Sequence, residues 1–216
     1  MQVRRPLRLV AVAVLAVLAL SAAAGCQNRF GAAAFVGDDR FAAHDVDAMV
    51  SQVLNDPIYH GQLEGHKDIV QAQLMTALIQ TDLFEKLAAQ LHTGVGDKDL
   101  AAARTQPENV GQAQQYDLPL DVFVRYTLLY DAIGRKIDPQ LYRDGVALQD
   151  TQSLQTLHQD LATRMASVLR ANEVVVNPAY GAFDGVHLVV QAPDDAVPTM
   201  EPWIHPLTNL PSSQNR

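Results

Sequence analysis

Apolar residues recur every three or four positions through most of the chain, which is the spacing of an amphipathic helix. The strongest pattern covers residues 65–92, where the apolar stripe is also unusually broad. Shorter patterns of the same kind predict helices over residues 45–54, 97–104, 119–133 and 150–171. The chain is therefore predicted to be mainly α.

Three short runs rich in β-branched or small apolar residues interrupt this helical pattern. They predict strands over residues 32–37, 174–176 and 186–190, the last preceded by the hairpin-type dipeptide Asp184-Gly185. Polar or irregular stretches predict a turn over residues 38–40 and loops over residues 105–115 and 134–148. Residues 192–216 contain five prolines and little periodicity, so we expect a disordered or extended tail.

The first 25 residues have a different character from the rest. Arg4, Arg5 and Arg8 precede an unbroken apolar run over residues 9–20. Twelve apolar residues are too few to span a bilayer in the usual way, which takes about 20. A basic segment followed by a short apolar one is typical of a secretory signal peptide.

The small residues Ser21-Ala22-Ala23-Ala24-Gly25 lead directly to Cys26, the one cysteine of the chain. This junction resembles a bacterial lipobox. The resemblance implies that residues 1–25 are removed and that Cys26 carries a diacylglycerol and further acyl chains such as palmitate. Two or more acyl chains anchor a protein stably. The protein is then expected on the outer face of the cell membrane, with residues 26–31 as a tether. The alternative is ordinary secretion after cleavage at an Ala-x-Ala site, which leaves Cys26 as a free thiol.

The charge of the chain limits its partners. The net charge is −8, and it becomes −11 once the leader with its three arginines and no acid is removed. Such a product is poorly suited to nucleic acid, whose binding depends on neutralising phosphates with Lys and Arg. With only Cys26 present, no disulfide can form within the chain.

No motif for catalysis is apparent. The chain contains neither a Gly-x-Ser-x-Gly elbow nor a glycine-rich phosphate loop. His60 and His66 are six residues apart in a predicted loop, which does not supply converging metal ligands. We therefore expect no enzymatic activity, no cofactor and no metal site. Tyr180 and Phe183 are either recognition residues or rings buried against the helices.

Three segments resemble the N-terminal domain of SurA-type periplasmic chaperones. Residues 34–38, followed by a helix, resemble the opening strand and first helix of that domain. Residues 69–92, followed by residues 94–100, resemble its long helix and the start of the next helix. The sequence Asn-Pro-Ala-Tyr-Gly-Ala-Phe-Asp at residues 177–184 resembles a signature of actinobacterial lipoproteins that carry this domain. The resemblance covers residues 32–191 and implies a helical domain with a small sheet. In that sheet, the strand at residue 32 would lie beside either residues 174–176 or residues 186–190.

The same resemblance implies a chaperone that holds unfolded or extended exported polypeptides without catalysis. A parvulin-type isomerase domain is absent, because the corresponding connection has only sixteen residues, 134–149. The broad stripe on the long helix is either buried on both sides or partly open as a groove, and an open groove would bind clients. The expected client-binding residues are Leu74, Met75, Leu78, Ile79, Leu83 and Phe84. The alternative function is an envelope scaffold or partner-specific lipoprotein, for which we expect a polar surface with one small apolar patch.

Replacing Cys26 with Ala should release the protein from membranes, because the attachment would be a thioether-linked lipid on that sulfur. Fractionation of cells that express the wild-type and Cys26→Ala proteins measures this directly. Unchanged membrane association of the variant would contradict lipidation.

Overall fold

The chain folds mainly into helices in the residues that the computed structural model describes, which are 31–56, 65–140 and 151–193. The elements in chain order are β1 (Ala32–Val36), β2 (Asp39–Ala42), α1 (Ala43–Leu54), α2 (Lys67–Gln90), α3 (Asp97–Arg104), α4 (Pro107–Gln115), α5 (Leu120–Ile137), α6 (Thr151–Ala171), β3 (Val174–Val176), a 3-10 turn (Pro178–Tyr180), β4 (Ala182–Asp184) and β5 (Val189–Gln191). This mainly helical architecture with small antiparallel sheets confirms the predicted fold class.

Helix α2 is the centre of the fold. It has 24 residues, and more than half of them are buried. Helices α1, α5 and α6 contact it, and so do β5 and the 3-10 turn. Because neighbours cover most of its circumference, α2 is apolar over far more than the single stripe of an ordinary surface helix.

A three-stranded sheet joins the two ends of the described domain. Its strand order is β2-β1-β3, and β1 pairs antiparallel with β3 so that Phe35 lies opposite Val175. Gly37 turns the chain between β1 and β2 with a φ of 61°, and its N–H donates to the carbonyl of Glu173 at 2.8 Å. The pairing of the strand at residue 32 with residues 174–176 was one of the two predicted alternatives.

The segment after β3 is fixed by local hydrogen bonds. The side chain of Asn177 accepts from the N–H of Ala179 at 3.1 Å and caps the 3-10 turn. Tyr180 is buried, and its hydroxyl donates to Asp47 of α1 at 2.9 Å. Gly181 then adopts a φ of 119°, and strands β4 and β5 form an antiparallel hairpin.

Some predicted boundaries are wrong. Residues 107–115 form helix α4 and not a loop, because Pro107 occupies the first turn, where its missing N–H and fixed φ do no harm. Residues 39–42 form strand β2 and not a turn, since they pair with β1. Helix α5 continues beyond residue 133 to Ile137, and the added turn places Gly134 in the core and leaves Ile137 half-buried.

The last predicted strand is also shorter than expected. Only residues 189–191 are in β5, whereas Val186 stands 84% exposed in the hairpin loop. Asp184 holds that loop by accepting from the N–H of Val186 at 2.8 Å. The predicted tether and leader at 1–30, and the tail from 194, lie outside the described residues.

Replacing Gly181 with Ala should destabilise the fold by about 2–4 kcal/mol. A Cβ at this position would lie 2.2 Å from the carbonyl oxygen of Gln191, and the backbone conformation disfavours a side chain. Gly111→Ala in the exposed interior of α4 is the matched control. A Cβ there meets nothing within 4 Å, and it should stabilise by about 0.5–1 kcal/mol. Urea unfolding of both variants measures these changes in stability. Equal effects of the two substitutions would contradict the backbone conformation of Gly181 and its close approach to Gln191.

Candidate binding site

The expected client-binding residues do not form an open groove. Leu74, Met75, Ile79, Leu83 and Phe84 have exposed fractions of 0%. They face different neighbours around α2, and Phe84, for example, packs against Tyr126 of α5 with ring centroids 5.2 Å apart. The expectation that these five side chains are open to clients is therefore wrong for this conformation. Their stripe is broad because α2 is covered from several sides at once.

Leu78 is the one member of the set that is partly exposed. It lies in a depression of about 320 Å³ whose apolar floor is formed by Phe41, Met49, Leu78 and Val122. We refer to these four residues and their surroundings as the apolar depression. The charged side chains Asp82, Glu85, Asp121 and Arg125 form its rim, whereas the lining residue Thr81 is buried.

Four elements meet at this floor for simple geometric reasons. Asp39 and Phe41 are two positions apart on β2, so both side chains lie on one side of the strand. Leu78, Asp82 and Glu85 are spaced by four and three positions and share one face of α2. Val122 lies in the first turn of α5. The depression is thus the place where the face of α2 between α1 and α5 is incompletely covered.

The rim consists of ion pairs. Lys86 contacts both Asp39 and Asp82, the second with Nζ and Oδ2 3.2 Å apart. Arg125 contacts Glu85 across the rim. Asp121 accepts from Nε of Arg104 at 2.6 Å. The lining itself therefore carries three carboxylates, Asp82, Glu85 and Asp121, and one cation, Arg125, while Asp39, Lys86 and Arg104 lie just outside it.

Two of the acids in and beside the rim, Asp39 and Asp82, share Lys86. Burial raises the pKa of Asp82, and this effect outweighs the lowering by Lys86. Desolvation lowers the pKa of Lys86, but its contacts with Asp39 and Asp82 raise it more, so the net pKa is above the ordinary lysine value. Asp39 is 59% exposed and remains accessible from solvent.

The surface continues beyond the ion pair of Glu85 and Arg125. A smaller depression of about 200 Å³ follows, with Ala88 and Leu129 in its wall. Further along, a cleft of about 460 Å³ lies between the loop after α2 and the second half of α5. Its lining is mixed, with Val95 and Leu128 beside Asp131 and Arg135. Of these three surfaces on the described residues, the apolar depression has the most acidic lining for its apolar floor, with Asp82, Glu85 and Asp121.

The other candidate residues do not assemble into a site. Tyr180 is buried and Phe183 is half-buried against the core. Their positions favour rings that pack against the helices over recognition residues. His66 is exposed, whereas His60 and Cys26 lie outside the described residues. Within residues 31–56, 65–140 and 151–193, no group of three or more metal-ligating side chains occurs. No helix in that part of the chain is both long and apolar enough to cross a bilayer.

Sequence reasoning missed three of the four floor residues. Phe41 directly follows the predicted turn at residues 38–40 and belonged to no predicted element, although its alternation with Asp39 is a strand signal. Met49 and Val122 were included in the helical stripes predicted for α1 and α5. Periodicity alone cannot separate a fully buried stripe residue from one at the edge of the covered surface.

Comparisons with known proteins give no relative. No protein-family model matches the chain. Searches of curated proteins and of solved structures also found no significant match.

Replacing Lys86 with Met should destabilise the protein by about 1–2 kcal/mol at neutral pH, because Asp82 would lose its counter-charge while mostly shielded from water. The pKa of Asp82 would rise further, so the loss should shrink as the pH falls through that pKa and the carboxyl becomes neutral. Urea unfolding at several pH values measures this.

The exposed Lys98→Met is the control, with an expected change within about 0.5 kcal/mol. Adding Asp82→Asn to Lys86→Met should recover most of the loss. If the loss of stability in Lys86→Met did not depend on pH and Asp82→Asn did not reverse it, the proposed interaction between Lys86 and Asp82 would be contradicted.

Proposed function

We propose that this protein is a lipid-anchored extracytoplasmic module that binds one particular protein partner through the apolar depression, without catalysis. The observation that carries the proposal is a small apolar floor inside a charged rim, on a helix that is otherwise enclosed. An apolar centre with a polar, charged border is the usual anatomy of a protein–protein contact. The anchor is proposed from the lipobox-like junction at Cys26.

The alternative of a general holdase now has weaker support. A holdase needs a continuous apolar surface to which many unfolded segments can bind. In the described residues, five of the six expected client-binding side chains are enclosed, and only Leu78 contributes to an open surface. One small patch is what we expect of a partner-specific protein.

The proposed kinship with SurA-type domains is compatible with this narrower function. The order of elements and the pairing of β1 with β3 support the resemblance. A fold is not a function, because binding depends on the side chains that a surface presents. We therefore propose the fold of that family with a binding surface reduced to the apolar depression.

Site-specific photo-crosslinking in intact cells tests the proposal. A photoreactive amino acid at position 49, in the floor, should give one discrete adduct, because a specific partner places the same segment there each time. The matched control is position 112, exposed on α4, which does not line the depression. Leu78→Asp in the position-49 protein should reduce the adduct at least several-fold, since it places a charge in the floor.

Three outcomes would contradict the proposal. A broad smear of adducts from position 49 would favour the general holdase. An adduct of equal yield from positions 49 and 112 would show that the depression is not the contact surface. The absence of any adduct from position 49 would remove the binding function altogether.

A further inference from the structure

A partner that binds in the apolar depression must complement both the charge and the shape of that depression. The lining of the depression is acidic, with Asp82, Glu85 and Asp121 against Arg125. Asp39 lies beside this lining, on the side of β2 that carries Phe41, and shares Lys86 with Asp82. Asp39 is the accessible member of the pair, with 59% of its side chain exposed. A partner cation can therefore reach Asp39 without displacing Lys86.

We propose that the bound segment of the partner carries a Lys or Arg beside a large apolar side chain, the apolar group entering the floor and the cation contacting Asp39. This inference rests on the proposed function and specifies the chemistry of its partner. Charge complementarity of this kind contributes to specificity and to the rate of association.

The distance between Asp39 and Phe41 on β2 sets the spacing expected between the partner's cation and its apolar side chain. Asp39 and Phe41 lie two residues apart on the same side of the strand, which separates them by about 7 Å. In an extended partner, two side chains on one side are also two positions apart. In a helical partner, the matching pair is one turn apart, at three or four positions. The volume of about 320 Å³ accommodates a short segment and not a large domain surface.

Other occupants fit the same surface less well. A second copy of this chain without its leader would bring another strongly acidic molecule, with a net charge of −11, against an acidic rim. Anionic lipid headgroups would meet the same repulsion. Both encounters juxtapose like charges, which opposes association. A basic apolar peptide is favoured by the rim and the floor together.

The test uses the soluble protein that begins after Cys26 and a set of fluorescent synthetic peptides. Each peptide is a Gly/Ser/Ala background with one Leu, followed two or four positions later by Arg, Gln or Glu. Fluorescence polarisation measures the affinities at low and at physiological salt. The Arg peptides should bind about fivefold or more tighter than the Glu peptides, and this ratio should fall as salt rises.

Two charge-removing variants locate the effect. Asp39→Asn should abolish most of the preference for Arg over Glu. Asp38→Asn is the matched control, because it removes the same charge one position away, from an exposed residue that does not share Lys86 with Asp82. It should keep the preference of the wild-type protein. Circular dichroism of both variants excludes a loss of fold as the cause.

The failure of this inference is distinguishable from that of the proposed function. If peptides bind and Leu78→Asp abolishes binding, but Arg and Glu peptides bind equally, the charge inference is overturned while the binding site stands. If no peptide binds at millimolar concentration, the charge inference is also overturned. A discrete, Leu78-dependent photo-adduct would still support the proposed function in either case.

Discussion

The structure depends on the enclosure of α2 by the C-terminal segment. Thr76 and Gln80 lie on the opposite face of α2 from Leu78 and Asp82, given 100° of rotation per residue. The N–H of Val190 donates to the hydroxyl of Thr76 at 2.8 Å, and the amide of Gln80 donates to the carbonyl of Leu188 at 2.6 Å.

Gln71 makes a third contact of this kind, from its amide to the carbonyl of Ala179 at 2.9 Å. All three polar side chains are buried, so each hydrogen bond is costly to lose, by about 1–3 kcal/mol for the group left unpaired. The C-terminal segment thus covers one face of α2, and the three hydrogen bonds fix its register along the helix. Two further residues hold the C-terminal segment in place. Tyr180 contacts Asp47 of α1, and Gly181 adopts the backbone conformation that leads into β4.

Enclosure of α2 decides what remains for binding. Because the C-terminal segment, α5 and α6 cover most of the helix, its apolar side chains stabilise the domain and are not available to clients. The strip formed by Leu78, Asp82 and Glu85 stays partly open between α1 and α5, and ion pairs border it. A surface of this kind selects a partner by charge and by one apolar contact. A long apolar groove would select only for hydrophobicity.

The sequence predicted the helices well and the binding surface poorly, for physical reasons. Helical periodicity located α1, α2, α3 and α6 to within a few residues, because each buries a continuous stripe. Helix α4 was missed because Pro107 and Gly111 are loop residues in most settings, and their tolerance in a helix depends on position.

The sequence left two alternatives for Leu74, Met75, Ile79, Leu83 and Phe84, burial on both sides or an open groove, because the outcome depends on how many neighbours surround α2. The polar residues Gln71, Thr76 and Gln80 within an apolar stripe were the overlooked signal. Buried polar side chains need partners, and here those partners are backbone groups about 110 residues further along the chain.

Cysteine reactivity measures the enclosure of α2 most directly. The chain has one native cysteine, so Leu78→Cys and Met75→Cys can be introduced singly into the soluble protein lacking Cys26. A thiol at position 78 should react with a maleimide at least about a hundredfold faster than a thiol at position 75, which becomes accessible only when the domain opens. Similar fast rates at both positions would show that the apolar face of α2 is open in solution, and would contradict an enclosed helix.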